Sequence, residues 1–514
     1  MNHRKIRLGS LLLTLAMLLT LTPALSGSAG ADAPDSSSAA VPYFPPHLDL
    51  REAGLVTQVK DQGQNETCWA FAISSAIESN ALVRGYGEHD ISEYQLAYAL
   101  SHILKLEGDL ATGEGPNCTE NWLEGIYAEN ISSALLRGFG VKSEKDYPYS
   151  HLRTPLPEDG VSPFGVLYPD SCYTVPASDS NAIKGLVSTN GAMYVSICSG
   201  CWWDGYYSWT SNGAYLPEYS GDYHNDHFVA IVGWDDNYSR DNFAITPPGD
   251  GAWIMKNSWG PYYGESGFFY LSYYDAALNE NNCATSITVK NERYFDKIYQ
   301  YDGGMGVQSI DGVTDVVMNF TAAGAEEITG VRLKPVGKLV PERNYCGDWS
   351  FEGCSAAIGV YRGVFDPNAP EAQSPVYTQE YAVVYPDYQT VEFESAVPLT
   401  AGERYYVRIS FDRPVSYAVD GKNSQFLNNY ESVAEGRPGE TCLRVETTLG
   451  TGGWKDTAEL ENNLSASACI RVLTKSRKPV TMDTLRELIA EQIDFTALFL
   501  LPARILSDFM AGLI

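Results

Sequence analysis

Gln62, Cys68, His227 and Asn257 carry side chains that together can run acyl transfer, and each sits in a context that suits its part. The stretch from Gln62 to Phe71 reads QGQNETCWAF, which sets Cys68 beside Trp69 where a helical pattern begins. A thiol attacks poorly until it ionises. A helix N-terminus and a neighbouring imidazolium both favour the thiolate and lower its pKa. His227, in NDHFVAIVGW, would supply the imidazolium and then protonate the leaving group. Asn257, in WIMKNSWG, would hold that imidazole in one tautomer and orientation. Gln62 would donate a side-chain N–H to the developing oxyanion, beside the backbone N–H of Cys68. Each residue alone has a plainer reading: a buried thiol, a satisfied core histidine, a turn asparagine. Their joint occurrence, in this order, outweighs those readings.

The elements that must position these groups fall into two blocks. After Cys68, Trp69, Ile73, Ala76 and Ile77 recur at helical spacing, and further helices are expected over 93–106 and 126–137. Short apolar runs follow at Met193 to Cys198, His227 to Trp234, Ala252 to Lys256 and Gly267 to Tyr273, bounded by Gly, Pro, Asn or Asp, and read as strands. Helices first and strands later predict an α+β domain with two segregated halves and a cleft between them. From about Lys290 the pattern is all-β. Tyr405, Val407, Ile409 and Phe411 alternate with Tyr406, Arg408 and Ser410 as a half-buried strand, and LTAGE at 399–403 reads as a turn after the strand holding Val391 and Phe393. Strands are also expected over 357–364 and 468–473, and the set predicts a β-sandwich.

Composition narrows the setting. The 514 residues carry a formal charge of −29, and without the three bases of residues 1–31 the balance is 64 acids against 32 bases. Phosphate binding needs a basic footprint, so a nucleic-acid partner is excluded. Arg4, Lys5 and Arg7 precede an apolar run from Leu8 to Leu21 and a small-residue site at Ala29-Gly30-Ala31, the pattern of a signal peptide over 1–31. A Ser/Pro-rich leader covers 32–47. Export permits disulfides. Cys346 and Cys354 flank a short loop and could pair. Cys198 and Cys201 form a single CxxC, without the second CxxC of a four-thiolate metal site, which reads as a local disulfide or two buried thiols. The tail, 476–514, carries an amphipathic pattern at Leu485, Leu488, Ile489 and Ile493; it reads as a docked helix or a peripheral envelope contact.

The first block resembles the papain-like cysteine peptidases. The resemblance rests on Gln62-Gly63, Cys68-Trp69-Ala70-Phe71, Asp226-His227, Val232-Gly233-Trp234, Lys256-Asn257-Ser258-Trp259-Gly260, and GVKSEKDYPY at 140–149. It implies an α+β, papain-like two-lobed peptidase domain over 48–289, with Cys68 as nucleophile, Gln62 in the oxyanion hole, His227 as acid and base, and Asn257 orienting it. It also implies that Trp259 shields the Asn–His hydrogen bond. Gly115 is the nearest candidate for the glycine that holds a substrate strand. One departure is local: where many members have CGSC, this chain has Asn65-Glu66-Thr67-Cys68. The second block, 290–475, resembles the lectin-like domain that follows such peptidases in some bacterial and archaeal secreted proteins. That resemblance implies an all-β sandwich, which either takes a cell-surface glycan as partner or serves as a purely structural accessory domain. The expected protein is a secreted cysteine endopeptidase acting on protein or peptide substrates, with no cofactor and no metal. The alternatives are acyl transfer to an amine, as in a transpeptidase or transglutaminase, and a glycan-binding adhesin with a vestigial peptidase domain.

Overall fold

The computed structural model describes residues 43–477 except 102–116, 119–127, 155, 158–159, 161, 221–222, 281, 304–307, 340–348, 422–424, 428–429, 432–435, 448–449 and 460–465. The segment read as a signal peptide, residues 32–42 of the expected leader, Gly115, Cys346, the end of the helix expected over 93–106 and the tail beyond 477 lie outside the described residues.

Helix α1 (Cys68–Val83) runs through the middle of the first domain. Its sequence, CWAFAISSAIESNALV, is small or apolar nearly all round, and such a helix is buried on every side. Nine of its residues from Cys68 to Ala81 are apolar and buried, and its few polar side chains are spent on neighbours. Asn80 accepts from the Val289 N–H at 2.9 Å and donates to the Asn190 carbonyl at 2.8 Å. On one side of α1 lie α2 (Glu93–Ser101) and α3 (Ala128–Leu135), which share a core containing Trp69, Ile73, Leu96, Leu100, Ile131 and Leu135.

On the other side lies a mostly antiparallel sheet. Its strands are β1 (His47–Asp49), β2 (Tyr168–Pro176), β3 (Met193–Ile197), β4 (Tyr207–Ser208), β5 (Gly213–Ala214), β6 (His227–Asp235), β7 (Ala252–Lys256), β8 (Phe268–Ser272) and β9 (Cys283–Lys290). They run in the order β2-β9-β3-β6-β7-β8-β5-β4, with β1 on β6. Strand β6 is central, and its run FVAIVGW is buried on both faces. Helix α4 (Ser180–Asn190) covers this second lobe, its first turn capped by the Asp179 carboxylate accepting from the Ala182 N–H at 3.0 Å. The α+β, two-lobed expectation holds.

The second domain is a β-sandwich. One sheet runs β10 (Lys297–Tyr299), β19 (Ile470–Ser476), β12 (Glu326–Leu333), β15 (Gln389–Leu399). The other contains β14 (Tyr377–Val383), β13 (Cys354–Arg362), β16 (Arg404–Gly421), β11 (Gln308–Thr321), β17 (Thr441–Thr447) and β18 (Gly450–Asp456), in that order. Val316, Met318, Ile328, Val331, Ile409 and Val472 meet between them in one core. The simple alternation expected along β16 needs correction. Tyr406, on the face read as outward, is 1% exposed, because Phe365 and Trp454 roof that face and Tyr361 stacks on its ring at 4.6 Å. Arg408, beside it, pairs with Asp315 at 2.9 Å.

The two domains are joined by buried arginines of the second that donate to backbone carbonyls of the first. Arg471 and Asp302 are both 0% exposed and paired, and Arg471 also donates to the Ser133 carbonyl of α3 at 2.8 Å. Arg332 donates to the Leu136 carbonyl and, at 3.1 Å, to that of Pro169. Residues 386–388 lie along β2, where Cys172 N–H donates to the Tyr388 carbonyl at 2.7 Å. Among the described residues no helix is long and apolar enough to cross a membrane.

Candidate active site

Cys68 is the first residue of α1, with Thr67 at the N-cap. The Thr67 side chain does not cap the helix; its hydroxyl meets the Tyr149 hydroxyl at 2.6 Å. That phenol also donates to the Gln62 carbonyl at 2.9 Å, and its ring packs edge-on against Phe71. Tyr149 therefore clamps both ends of the loop that precedes Cys68. Gly63 permits the loop's turn at φ +61, a conformation L side chains rarely adopt.

Gln62 is brought to the far lobe by a short antiparallel pairing. Its N–H donates to the Ser258 carbonyl at 2.8 Å, and Gly260 N–H donates to the Lys60 carbonyl at 3.1 Å. Its side chain is fixed at both ends. The Ser258 hydroxyl donates to Oε1 at 2.6 Å, and Nε2 donates to the Asn65 carbonyl at 2.8 Å. These bonds fix which end is the NH2 group and leave its second N–H free to donate.

His227 opens β6, and Asn257 directly follows β7, the adjacent strand. The pairing of Ala230 with Lys256 sets their spacing. His227 Nε2 lies 2.7 Å from Asn257 Oδ1, so Nε2 carries the proton and Nδ1 is the ring nitrogen left for exchange with a thiol. Asn257 Oδ1 is itself held by the Ser258 N–H at 2.8 Å. Trp259 stacks on the imidazole, with centroids 4.8 Å apart and planes 27° from parallel. The Cys68 sulfur faces the backbone N–H groups of Phe228, the residue after His227, and of Trp69.

The electrostatics correct one expectation. Burial pushes the Cys68 thiol up to about 11, against the lowering by those two N–H groups, and the charges of Asp226 and Glu66 add to the rise. Burial likewise holds His227 below its ordinary value, with the Asn257 hydrogen bond and Asp226 opposing. The helix terminus alone does not ionise this thiol, because desolvation outweighs it. The arrangement leaves a protonated thiol facing N–H donors that can meet charge as it develops on sulfur.

The structure thus brings Gln62, Cys68, His227, Asn257 and Trp259 together. Reading the sequence missed Tyr149 and Ser258 as holders of the Gln62 segment. Both lie within motifs quoted above, so position offered a signal and residue type did not. Cys198 and Cys201 are buried free thiols, with Cys201 Sγ 3.1 Å from the Cys198 carbonyl. Cys354 is also a buried thiol.

The sequence profile described as "Papain family cysteine protease" matches residues 44–291. Cysteine endopeptidase RepA of Oryza sativa subsp. japonica is 30% identical over 225 residues, 44% of this chain and 51% of that protein. Vignain of Phaseolus vulgaris is 31% identical over 224 residues, again 44% of this chain and 53% of its own length. The chain spans about half the length of these curated relatives. Among solved structures, the cysteine protease and lectin-like domains of Cwp84, a surface layer associated protein of Clostridium difficile, align over 84% of this chain and 89% of theirs. The TM-score is 0.66 at 22% identity, a likeness of fold that extends through both domains. Residues 44–291, a little under half of the chain, are similar to the papain family of cysteine proteases.

Proposed function

We propose that this protein is a cysteine endopeptidase acting outside the cell. The observation that carries the reading is the single constellation in which Nε2 of His227 is bound to Asn257 while the Cys68 sulfur faces the next residue's N–H. In the proposed reaction Cys68 Sγ attacks the substrate carbonyl and its proton passes to His227 Nδ1. The oxyanion takes hydrogen bonds from the Cys68 N–H and from Gln62 Nε2. The C–N bond breaks as Nδ1 returns the proton to the departing amine, leaving a thioester on Cys68. Water, deprotonated by Nδ1, then attacks the thioester; the acid departs and the thiol is restored. Asn257 keeps Nδ1 on the sulfur side throughout, and Trp259 covers the Asn–His bond from solvent. The basic and apolar N-terminal pattern supports export, and Cwp84, described as surface layer associated, is consistent with it.

For the second domain we propose the lectin-like role, surface glycan binding, alongside a structural one that its buried ion pairs support. The test of the main reading is hydrolysis of an unstructured protein by the full chain, with C68A and H227A for comparison. Cleavage by wild type and loss in both variants is expected. Cleavage that survives in either would defeat the reading, and product masses showing amine adducts in place of free acids would replace hydrolysis by transfer.

A further inference from the structure

Residues 198–213 lie between β3 and β6 in the chain, reach the sheet's edge through β4, and carry three tryptophans. Trp202 is 2% exposed and lies edge-on to Trp259 at 5.5 Å. Tyr207 packs on Trp202 at 4.9 Å, Trp209 on Tyr207 at 4.7 Å, and Trp203 on Trp209 at 5.2 Å. Trp203 and Trp209 are 75% and 55% exposed, so the row begins at His227 and ends in two adjoining indoles open to water. The row is firmly fixed. The Asp226 carboxylate, next to His227, accepts from the Ser199 N–H at 2.6 Å and the Gly200 N–H at 2.9 Å, and β4 and β5 pair at the sheet's edge. No Lys or Arg occurs in the sequence from Cys198 to Asp226, whereas Asp204, Glu218, Asp222 and Asp226 do.

We propose that Trp203 and Trp209 form a binding shelf for a planar side chain, an aromatic ring or a guanidinium, in the leaving-group part of the substrate. This rests on the peptidase reading. The direction follows from the chemistry: the departing amine must reach His227 Nδ1, so the chain beyond the scissile bond leaves on the side of His227 and Trp259, where the row of rings starts. Five ring-to-ring steps of about 5 Å carry it at most about 25 Å, the reach of roughly seven extended residues. An exposed indole face binds rings by offset or edge contact and guanidinium by cation–π attraction, and the carboxylate of Asp204, next to Trp203 in the chain, adds to the latter.

The test uses the full chain and peptides with one fixed acyl part, in which positions two to seven beyond the bond are scanned with Ala, Leu, Phe, Lys and Arg. Phe and Arg should exceed Ala and Lys by roughly five- to thirty-fold in kcat/KM at one position. In the W203A/W209A double variant that ratio should fall toward one. A flat profile in wild type overturns the shelf, whether or not the double variant folds, and so does a preference that survives in the variant. A short amide with no residues beyond its bond separates the two readings. If wild type hydrolyses it yet shows no planar preference, the shelf alone fails; if wild type hydrolyses neither, the peptidase reading fails with it.

Discussion

Replacing Gln62 by alanine tests the oxyanion geometry through a residue that touches neither sulfur nor imidazole in any described hydrogen bond. The side chain is 7% exposed, and both its ends are bonded, to Ser258 and Asn65. It is therefore already in place before charge develops, which is the condition under which one donor is worth most. Removing such a donor typically lowers kcat by about 10²–10³, roughly 2.7–4 kcal/mol. Q62A also abolishes two hydrogen bonds and leaves the Ser258 hydroxyl without its acceptor, so stability should fall by about 1–3 kcal/mol. These effects separate in the assay. Steady-state hydrolysis of a peptide amide should show kcat reduced about 10²–10³-fold with KM changed much less. Alkylation of Cys68 by iodoacetamide, a displacement that forms no oxyanion, should slow by less than about threefold, since the thiol's own N–H partners are kept. Q62E, which restores the contact to Ser258 but cannot donate, should be at least as slow as Q62A in hydrolysis. A loss of kcat under about fivefold, or equal losses in hydrolysis and alkylation, would refute the role given to Gln62.

Other outcomes follow from the same contacts. N257A frees the imidazole to rotate and should cost about 10²-fold in kcat, measured with the same peptide amide, while leaving the secondary structure by circular dichroism unchanged. The pH dependence of thermal unfolding should show two limbs from the site. His227 has a folded-state pKa below its unfolded value of 6.5, so its contribution is complete above pH 6.5 and lost as pH falls through the lower folded value; H227N should flatten the acid limb. The Cys68 pKa rises from 9.0 to about 11, so its contribution is complete below pH 9 and lost as pH rises to 11, by about 2–3 kcal/mol, and C68A should flatten that limb. R471A leaves Asp302 buried without its main partner and should destabilise the chain by about 3–5 kcal/mol in chemical unfolding, although residue 471 lies in the second domain.

The parts of the fold that could be read in advance are those fixed by local pattern. Helix α1 followed from Trp69, Ile73, Ala76 and Ile77 at helical spacing, and β6 and β7 from continuous apolar runs, since a strand buried on both faces leaves no place for polar alternation. The same reasoning failed where burial comes from a distant segment. Tyr406 alternates with core residues, so it reads as solvent-facing, and only Phe365 and Trp454, brought in by the fold, cover it. Arg471, flanked by Ile470 and Val472, likewise reads as an outward charge. Its partners Asp302 and Ser133 lie 169 and 338 residues away in sequence, and no local period encodes them. At the site, the residues with distinctive chemistry stood out, whereas Tyr149 and Ser258 act by position: a phenol and a hydroxyl that hold the Gln62 loop are indistinguishable, in sequence, from any others. The thiol's electrostatics were misjudged for a related reason. The helix N-terminus is a local feature and was visible, but the burial that outweighs it is made by the whole lobe interface.

The most direct test of the central claim is to treat the reduced full-length protein with a peptidyl epoxide and map the adduct by mass spectrometry. Ring opening by the Cys68 thiolate, with the epoxide oxygen taking the proton, should attach one inhibitor per chain to the peptide containing Cys68. Labelling and peptide hydrolysis should be lost together, and H227A should label at least tenfold more slowly. An adduct on Cys198, Cys201 or Cys354 in place of Cys68, or hydrolysis that continues after Cys68 is fully modified, would contradict the account.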